Sequence, residues 1–192
     1  MWYSAYNKLV INMLLPLGSK ILYTKHYILR PFNYNDAQMM YFYLSDSEVC
    51  KYLEFNPVLN INQVYKEISV YLENYHNPFY FHWAIVDKTN GFVIGSTSIH
   101  NIDRYLQSGE LGICLSRLYW RKGVGKEVLG KLMEFGVKEV GFKEFKAFYI
   151  EGNDASKYML KGLGFNEKIK KERILKKNGV NLIVKGLKIK YF

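Results

Sequence analysis

A chain of 192 residues that is 49% hydrophobic and has only 4 prolines carries enough apolar mass for one domain with a sizeable core, which excludes an intrinsically disordered protein. The 27 basic and 17 acidic residues leave a formal charge of +10, which favours anionic partners such as phosphates, nucleic acid or acidic protein without choosing among them. Two cysteines far apart in the chain, Cys50 and Cys114, argue against a disulfide framework and a cysteine-based zinc site, and they fit the reducing cytoplasm.

Residues 9–17 form a short apolar run after Lys8. The run lacks a small-residue cleavage pattern and is too short to span a membrane, so export is not expected. Residues 1–22 read as an N-terminal arm or extra strand, and 23–192 as a single domain. Within that domain, 27–32 reads as a strand stopped by Pro31, and Asn35-Asp36 reads as the cap region of an apolar-spaced helix over 37–44. A second helix follows, capped by Asn60 or Asn62, with Ile61, Val64, Ile68, Tyr71, Leu72 and Tyr75 at helical spacing. Residues 79–87 and 92–102 are strand-like, and the turn between them holds Asn90-Gly91, a pair suited to the positive φ of a tight hairpin. Residues 110–115 form the next strand. Val124, Val128, Leu129, Leu132, Phe135 and Val140 give the helix after it a buried stripe.

Residues 145–150 read as a strand, Asn153 as the N-cap of a helix over 154–163, and Gly164 as its left-handed stop. Strands 165–175 and 180–189, joined through Asn178-Gly179, close the chain as a hairpin. The hairpin carries Lys168, Lys170, Lys171, Arg173, Lys176 and Lys177. No nucleic-acid motif accompanies that cluster, which therefore reads as a solvated face. A meander, a strand-helix-strand-helix passage and a hairpin together describe an α+β sheet with helices on its faces.

The segment Tyr119-Trp120-Arg121-Lys122-Gly123-Val124-Gly125-Lys126 lies between a strand and a helix. Glycines at such a point let the backbone turn with its N–H groups inward, and those groups, with the positive end of the helix, form an anion cradle. Arg121, Lys122 and Lys126 add charge. A purely structural strand-to-helix turn uses glycine in the same way, so the segment alone leaves both readings open.

Taken in order, Ile28-Leu29-Arg30-Pro31, Glu110-Leu111-Gly112-Ile113, the segment 119–125, Asn153-Asp154-Ala155-Ser156 and Leu163-Gly164-Phe165 resemble the GCN5-related N-acetyltransferases, most closely the branch that includes ribosomal-protein N-terminal acetyltransferases. The resemblance covers nearly all of 24–189. It implies a central, mixed, mostly antiparallel twisted sheet splayed at the fourth and fifth strands. It implies acetyl-CoA as acetyl donor, no metal, and a primary amine as acceptor attacked directly in a ternary complex. A protein N-terminal amine, a polyamine, an amino acid or an amine antibiotic are the acceptor classes. The alternative is a non-catalytic acyl-CoA-binding module whose basic hairpin contacts RNA or ribosome. Neither nucleic acid nor membrane is an expected partner of the enzyme, which would be a monomer or homodimer.

By the same resemblance, the pyrophosphate lies on the backbone of Lys122, Gly123, Val124, Gly125 and Lys126, with Arg121 helping. Trp120 replaces the family's usual Gln or Arg and reads as a buried packing residue. A backbone N–H near Ile113, Cys114 or Leu115 would stabilise the tetrahedral oxyanion. Glu110 is the candidate base that takes a proton from the amine, its alternative being one end of a salt bridge. Asn153 is helix cap, cofactor ligand, or both. Many relatives carry a proton-donating tyrosine seven residues after that asparagine; here the position is Leu160, which leaves Ser156 and Tyr158 as candidate acids, with Tyr158 also able to pack on the pantetheine arm. Cys114 reads as packing rather than an acetyl carrier, and the histidines show no metal-ligand spacing.

Overall fold

The computed structural model describes residues 13–191. In chain order the elements are β1 (Leu22–Tyr23), β2 (Tyr27–Arg30), α1 (Ala37–Leu44), the single turn α2 (Ser47–Cys50), α3 (Ile61–Asn74), β3 (Phe81–Asp87), β4 (Val93–Asp103), β5 (Ser108–Leu115), α4 (Val124–Phe135), β6 (Glu144–Ile150), α5 (Asp154–Lys161), β7 (Glu167–Lys177) and β8 (Val180–Lys190). Among the described residues the strands form one eight-stranded sheet in the order β1-β2-β3-β4-β5-β6-β8-β7. Every neighbouring pair is antiparallel except β5 with β6. The α+β architecture expected from the sequence is the one found. A short first strand shifts the numbering, so the expected fourth and fifth strands are β5 and β6.

Residue alternation divides the core into two layers, one on each face of the sheet. Phe81, Trp83 and Ile85 on β3 join Val128, Leu129, Leu132 and Phe135 of α4. Ala84 and Val86 on the same strand join Met40, Leu44, Val64 and Ile68 of α1 and α3. Burial on both faces is why β3 reads as a nearly continuous apolar run.

Several local readings are corrected. Asp36 is the N-cap position of α1 as read, but its side chain is spent elsewhere, on the Arg30 guanidinium through two 2.7 Å hydrogen bonds and on Asn33 N–H at 2.9 Å; the side-chain cap is Asn33, which starts a 3-10 turn over Tyr34–Asp36 and accepts from the Asn35 N–H at 2.9 Å. The β3–β4 loop is wider than a two-residue turn. Asp87 N–H donates to the Phe92 carbonyl across it, and of Asn90 and Gly91 only Gly91 has positive φ, +75°. Asn90 uses its side chain instead, accepting from Phe92 N–H and donating to the Tyr119 hydroxyl at 3.1 Å. The helix after Asn153 stops at Lys161, and Gly164, at φ +93°, turns the chain so that Phe165 N–H reaches the Leu160 carbonyl. The Asn178-Gly179 turn is the expected two-residue form, with both residues at positive φ and Lys177 paired to Val180.

Of the expected arm, residues 1–12, and with them part of the apolar run 9–17, lie outside the described residues. Residues 13–21 run along the domain without strand pairing. Leu14 is buried in the core, Leu15 N–H donates to the Val140 carbonyl at 2.7 Å, and the Trp83 indole donates to the Lys20 carbonyl at 2.8 Å. Leu22, which ends the expected arm, belongs to the sheet. Among the described residues no helix is long and apolar enough to cross a membrane.

Candidate active site

The sheet opens at its one parallel junction. β5 and β6 are in register only from Ser108↔Glu144 to Leu111↔Ala147; beyond that, β5 follows β4 to Leu115 and β6 follows β8 to Ile150. Ser116 N–H donates to the Ile94 carbonyl at 2.8 Å, which sets the phase of the β4–β5 ladder. Alternation then directs the backbone groups of Gly112 and Cys114 at β4, and those of Ile113 and Leu115 into the opening. The Leu115 carbonyl is taken up there by the Trp120 indole N–H at 2.9 Å. Of the three residues expected to offer an N–H, Cys114 thus spends its backbone on β4.

The loop after β5 leads to a helix with a bare N-terminus. Gly123, at φ +81°, is the N-cap of α4 and has no side chain with which to satisfy the first turn's N–H groups. Arg121 also holds a positive φ, +59°. The two glycines have separate jobs. A Cβ on Gly123 would meet nothing within 4 Å, so glycine is needed there for conformation. A Cβ on Gly125 would lie 2.3 Å from the Met159 sulfur, so glycine is needed there to seat α5 against α4. Lys122 sits over the Tyr119 ring at 5.4 Å, and Lys126 lies against Gly162 at the end of α5. Trp120 is 40% exposed, which corrects the expectation of a buried packing residue. Its ring stays at the surface because the indole N–H is held by Leu115.

On α5, Asn153 acts as the cap, its side chain accepting from Ser156 N–H at 3.1 Å. Leu160 is buried in the core, and Tyr158 is 63% exposed.

The opposite face of the sheet, under α1 and α3, carries two adjoining cavities of about 670 and 660 Å³ that share Glu67, Tyr71 and His82. Glu110 points to this face but is heavily engaged: Arg173 donates at 2.8 Å and Asn101 at 3.0 Å, and Arg173 itself stacks 3.9 Å from the Phe148 ring centroid. Burial pushes the Glu110 carboxyl upward, but the hydrogen bonds from Arg173 and Asn101 outweigh it and hold the group below the ordinary carboxylate range. Burial drives the Cys114 thiol up to about 12, which leaves it a poor nucleophile. Burial, helped by the charge of His100, brings His82 down to about 4. Among the described residues no cluster of His, Cys, Asp and Glu is placed to hold a metal ion.

Sequence reasoning missed Arg173, Asn101, Tyr71 and His100. Nothing in the sequence links Arg173 to a strand 63 residues earlier. The strand alternation that places His82, Ser98 and Glu110 on one face would have found His100.

A mostly antiparallel sheet opened at one parallel junction, with an uncapped helix N-terminus beside the opening, offers an anionic ligand a place beside the sheet. The comparisons make the class specific. Residues 26–166 match the model of the acetyltransferase (GNAT) domain family. The uncharacterized N-acetyltransferase p20 of Bacillus licheniformis is 30% identical over 150 residues, covering 76% of this chain and 82% of its own. Two solved structures share the fold. The spermidine N-acetyltransferase of Vibrio cholerae, in complex with CoA and spermine, superposes with a TM-score of 0.74 at 15% identity over 86% of this chain and 95% of its own. The ribosomal-protein-S5-alanine acetyltransferase of Vibrio fischeri does so with a TM-score of 0.71 at 20% identity over 88% and 96%. The chain belongs to the GNAT acetyltransferase family, and it is an N-acetyltransferase.

Proposed function

We propose that the protein transfers the acetyl group of acetyl-CoA to the free N-terminal amine of a peptide or protein, in a ternary complex. The charge balance of the cavities under α1 and α3 carries this reading. Glu110, beside the cavities, is already neutralised by Arg173, and the charged residues that line them are one carboxylate, Glu67, and one cation, Arg104, which sits 4.4 Å over the Phe79 ring. A polyamine needs several unspent carboxylates; a peptide brings one amine, a neutral backbone and a side chain. Asn77 and Asn101 supply polar contacts in one cavity, and Leu44, Phe55, Val58 and Leu59 an apolar wall in the other.

The donor fits the other side of the opening. The uncapped first turn of α4, with Arg121 and Lys122 beside it, suits the pyrophosphate of acetyl-CoA. The Ile113 N–H faces the opening where a thioester oxygen would need a donor. Tyr158, reaching out of α5, remains a candidate acid for the leaving thiolate.

Thiol release from acetyl-CoA, measured against peptides beginning with Ala, Ser or Thr and against spermidine, an aminoglycoside and free amino acids, tests the reading. The peptides should exceed spermidine in kcat/KM by at least about tenfold, the worth of one good polar contact. Preference for spermidine would overturn it.

A further inference from the structure

With both Glu110 oxygens hydrogen-bonded, the acceptor amine lacks a base among the residues the sequence pointed to. We propose that His100, on β4, is the general base of the acetyl transfer. This inference rests on the amine acceptor entering from the α1 and α3 face.

Three observations carry it. His100 pairs in register with Glu110, and its imidazole lies along the sheet over Gly112. A Cβ on Gly112 would stand 3.2 Å from His100 Cε1, 3.5 Å from Nδ1 and 2.9 Å from Ser98 Oγ. Glycine at 112 is therefore what makes room for the ring, beside the residue whose N–H faces the opening. The ring is also oriented. Ser98 Oγ lies 3.1 Å from Nδ1, while Nε2 stands 3.9 Å from Glu110 Oε2, beyond hydrogen-bond range; in the tautomer whose Nδ1–H donates to Ser98, Nε2 carries a lone pair with no partner and can take a proton. Finally, the ring is reachable: its side chain is 49% exposed and lines the cavity of about 670 Å³. His82 is less available: it is half-buried, with its Nδ1 at 3.2 Å from the Tyr80 hydroxyl and its ring edge-on to Tyr71 at 4.1 Å.

The charged groups facing His100 come from several elements. Glu110 on β5 and Glu54 after α2 favour its protonation; burial and Arg173 on β7 oppose it, with His82 on β3 and, elsewhere in the cavity, Glu67 on α3 and Arg104 after β4. Burial is the largest of these, and on balance it lowers the imidazole below the ordinary histidine value, which favours the neutral form that a base requires. In the step itself an ammonium R–NH3+ gives one proton to Nε2. The freed lone pair forms the C–N bond at the thioester carbonyl, and the C–S bond then breaks. The second nitrogen proton leaves with the sulfur as the CoA thiol. The products are the acetylated amine and the thiol, and the His100 imidazolium returns its proton to water.

The test compares wild type, His100→Gln and Glu110→Gln, with an Ala-initiated peptide and spermidine as amines and hydroxylamine as a nucleophile already unprotonated at neutral pH. In His100→Gln, kcat/KM toward the amine should fall by about 100-fold or more and the acidic limb of its pH profile should vanish. The loss toward hydroxylamine should be far smaller, and acetyl-CoA affinity by calorimetry should be unchanged. In Glu110→Gln the limb should persist and move to lower pH, since removing a neighbouring negative charge lowers a histidine pKa. The proposal is overturned if His100→Gln retains the limb, if it loses amine and hydroxylamine turnover equally, or if Glu110→Gln alone abolishes the limb. Wild-type turnover of spermidine but not peptide sinks the acceptor reading and leaves the His100 comparison to be decided with spermidine.

Discussion

At the level of single residues, the loop after β5 separates two demands that look identical in a sequence. Gly123 and Gly125 are both read from the chain as backbone cradles for phosphate, yet one is held to a left-handed turn and the other to a helix contact. Substitution should divide them. Gly123→Val forces a β-branched residue into positive φ at about 1–2 kcal/mol, strain that a rearranged loop relieves by giving up its anion geometry. Acetyl-CoA affinity should fall about tenfold or more in calorimetry, with a small change in melting temperature. Gly125→Val drives a side chain into Met159 and should lower the melting temperature by several degrees, the usual cost of overpacking. A tolerated Gly123→Val would remove that loop from donor binding. The role of Glu110 was legible only as a choice between alternatives, and Trp120 was misread as buried. Arg173 and the Leu115 carbonyl, which occupy them, come from other parts of the chain.

Elements were more legible than residues, because periodicity and caps are local. α3 begins at Asn60's cap as read, with Gln63 N–H on the Asn60 side chain, and the closing hairpin turns on Asn178-Gly179. The misread β3–β4 loop shows the limit: Asn90 is recruited by the Tyr119 hydroxyl, a tertiary partner that no local pattern reveals. α5 carries a sharper question, since its cap sits beside the opening. Asn153→Ala removes the acceptor for Ser156 N–H and should cost about 1 kcal/mol in urea unfolding. Affinity for acetyl-CoA should change less than about threefold if capping is the side chain's work, and a larger loss would make Asn153 a donor-site ligand as well.

For the molecule as a whole, buried titratable groups set the pH range of stability. His82 remains neutral in the folded protein down to about pH 4, against an ordinary value of 6.5 in the unfolded chain. The unfolded chain therefore binds the extra proton between those values, and stability declines as pH falls from 6.5 toward 4. The carboxyls of Asp87, Glu110 and Glu127 are all held below their ordinary values, and each withdraws further stability as pH falls below the carboxylate range. The urea midpoint followed against pH should decline in that order, and His82→Leu should flatten the first part of the decline. An unchanged slope in that variant would remove His82 from the account. The sheet itself was readable because its strands alternate and its hairpins are short; the packing of His82 against Tyr71 was not, because Tyr71 reaches the strand from a different element, α3. The parallel junction of β5 and β6 has a bearing on how the molecule comes into being. β1 to β5 pair only with sequence neighbours, as a meander, and β6 to β8 form their own antiparallel unit, so each part can assemble locally while the four register pairs that join them wait for α4 to cross over. Neither part alone contains the opening, so the site exists only once the two are joined, and the first turnover of a refolding chain marks the completion of its fold.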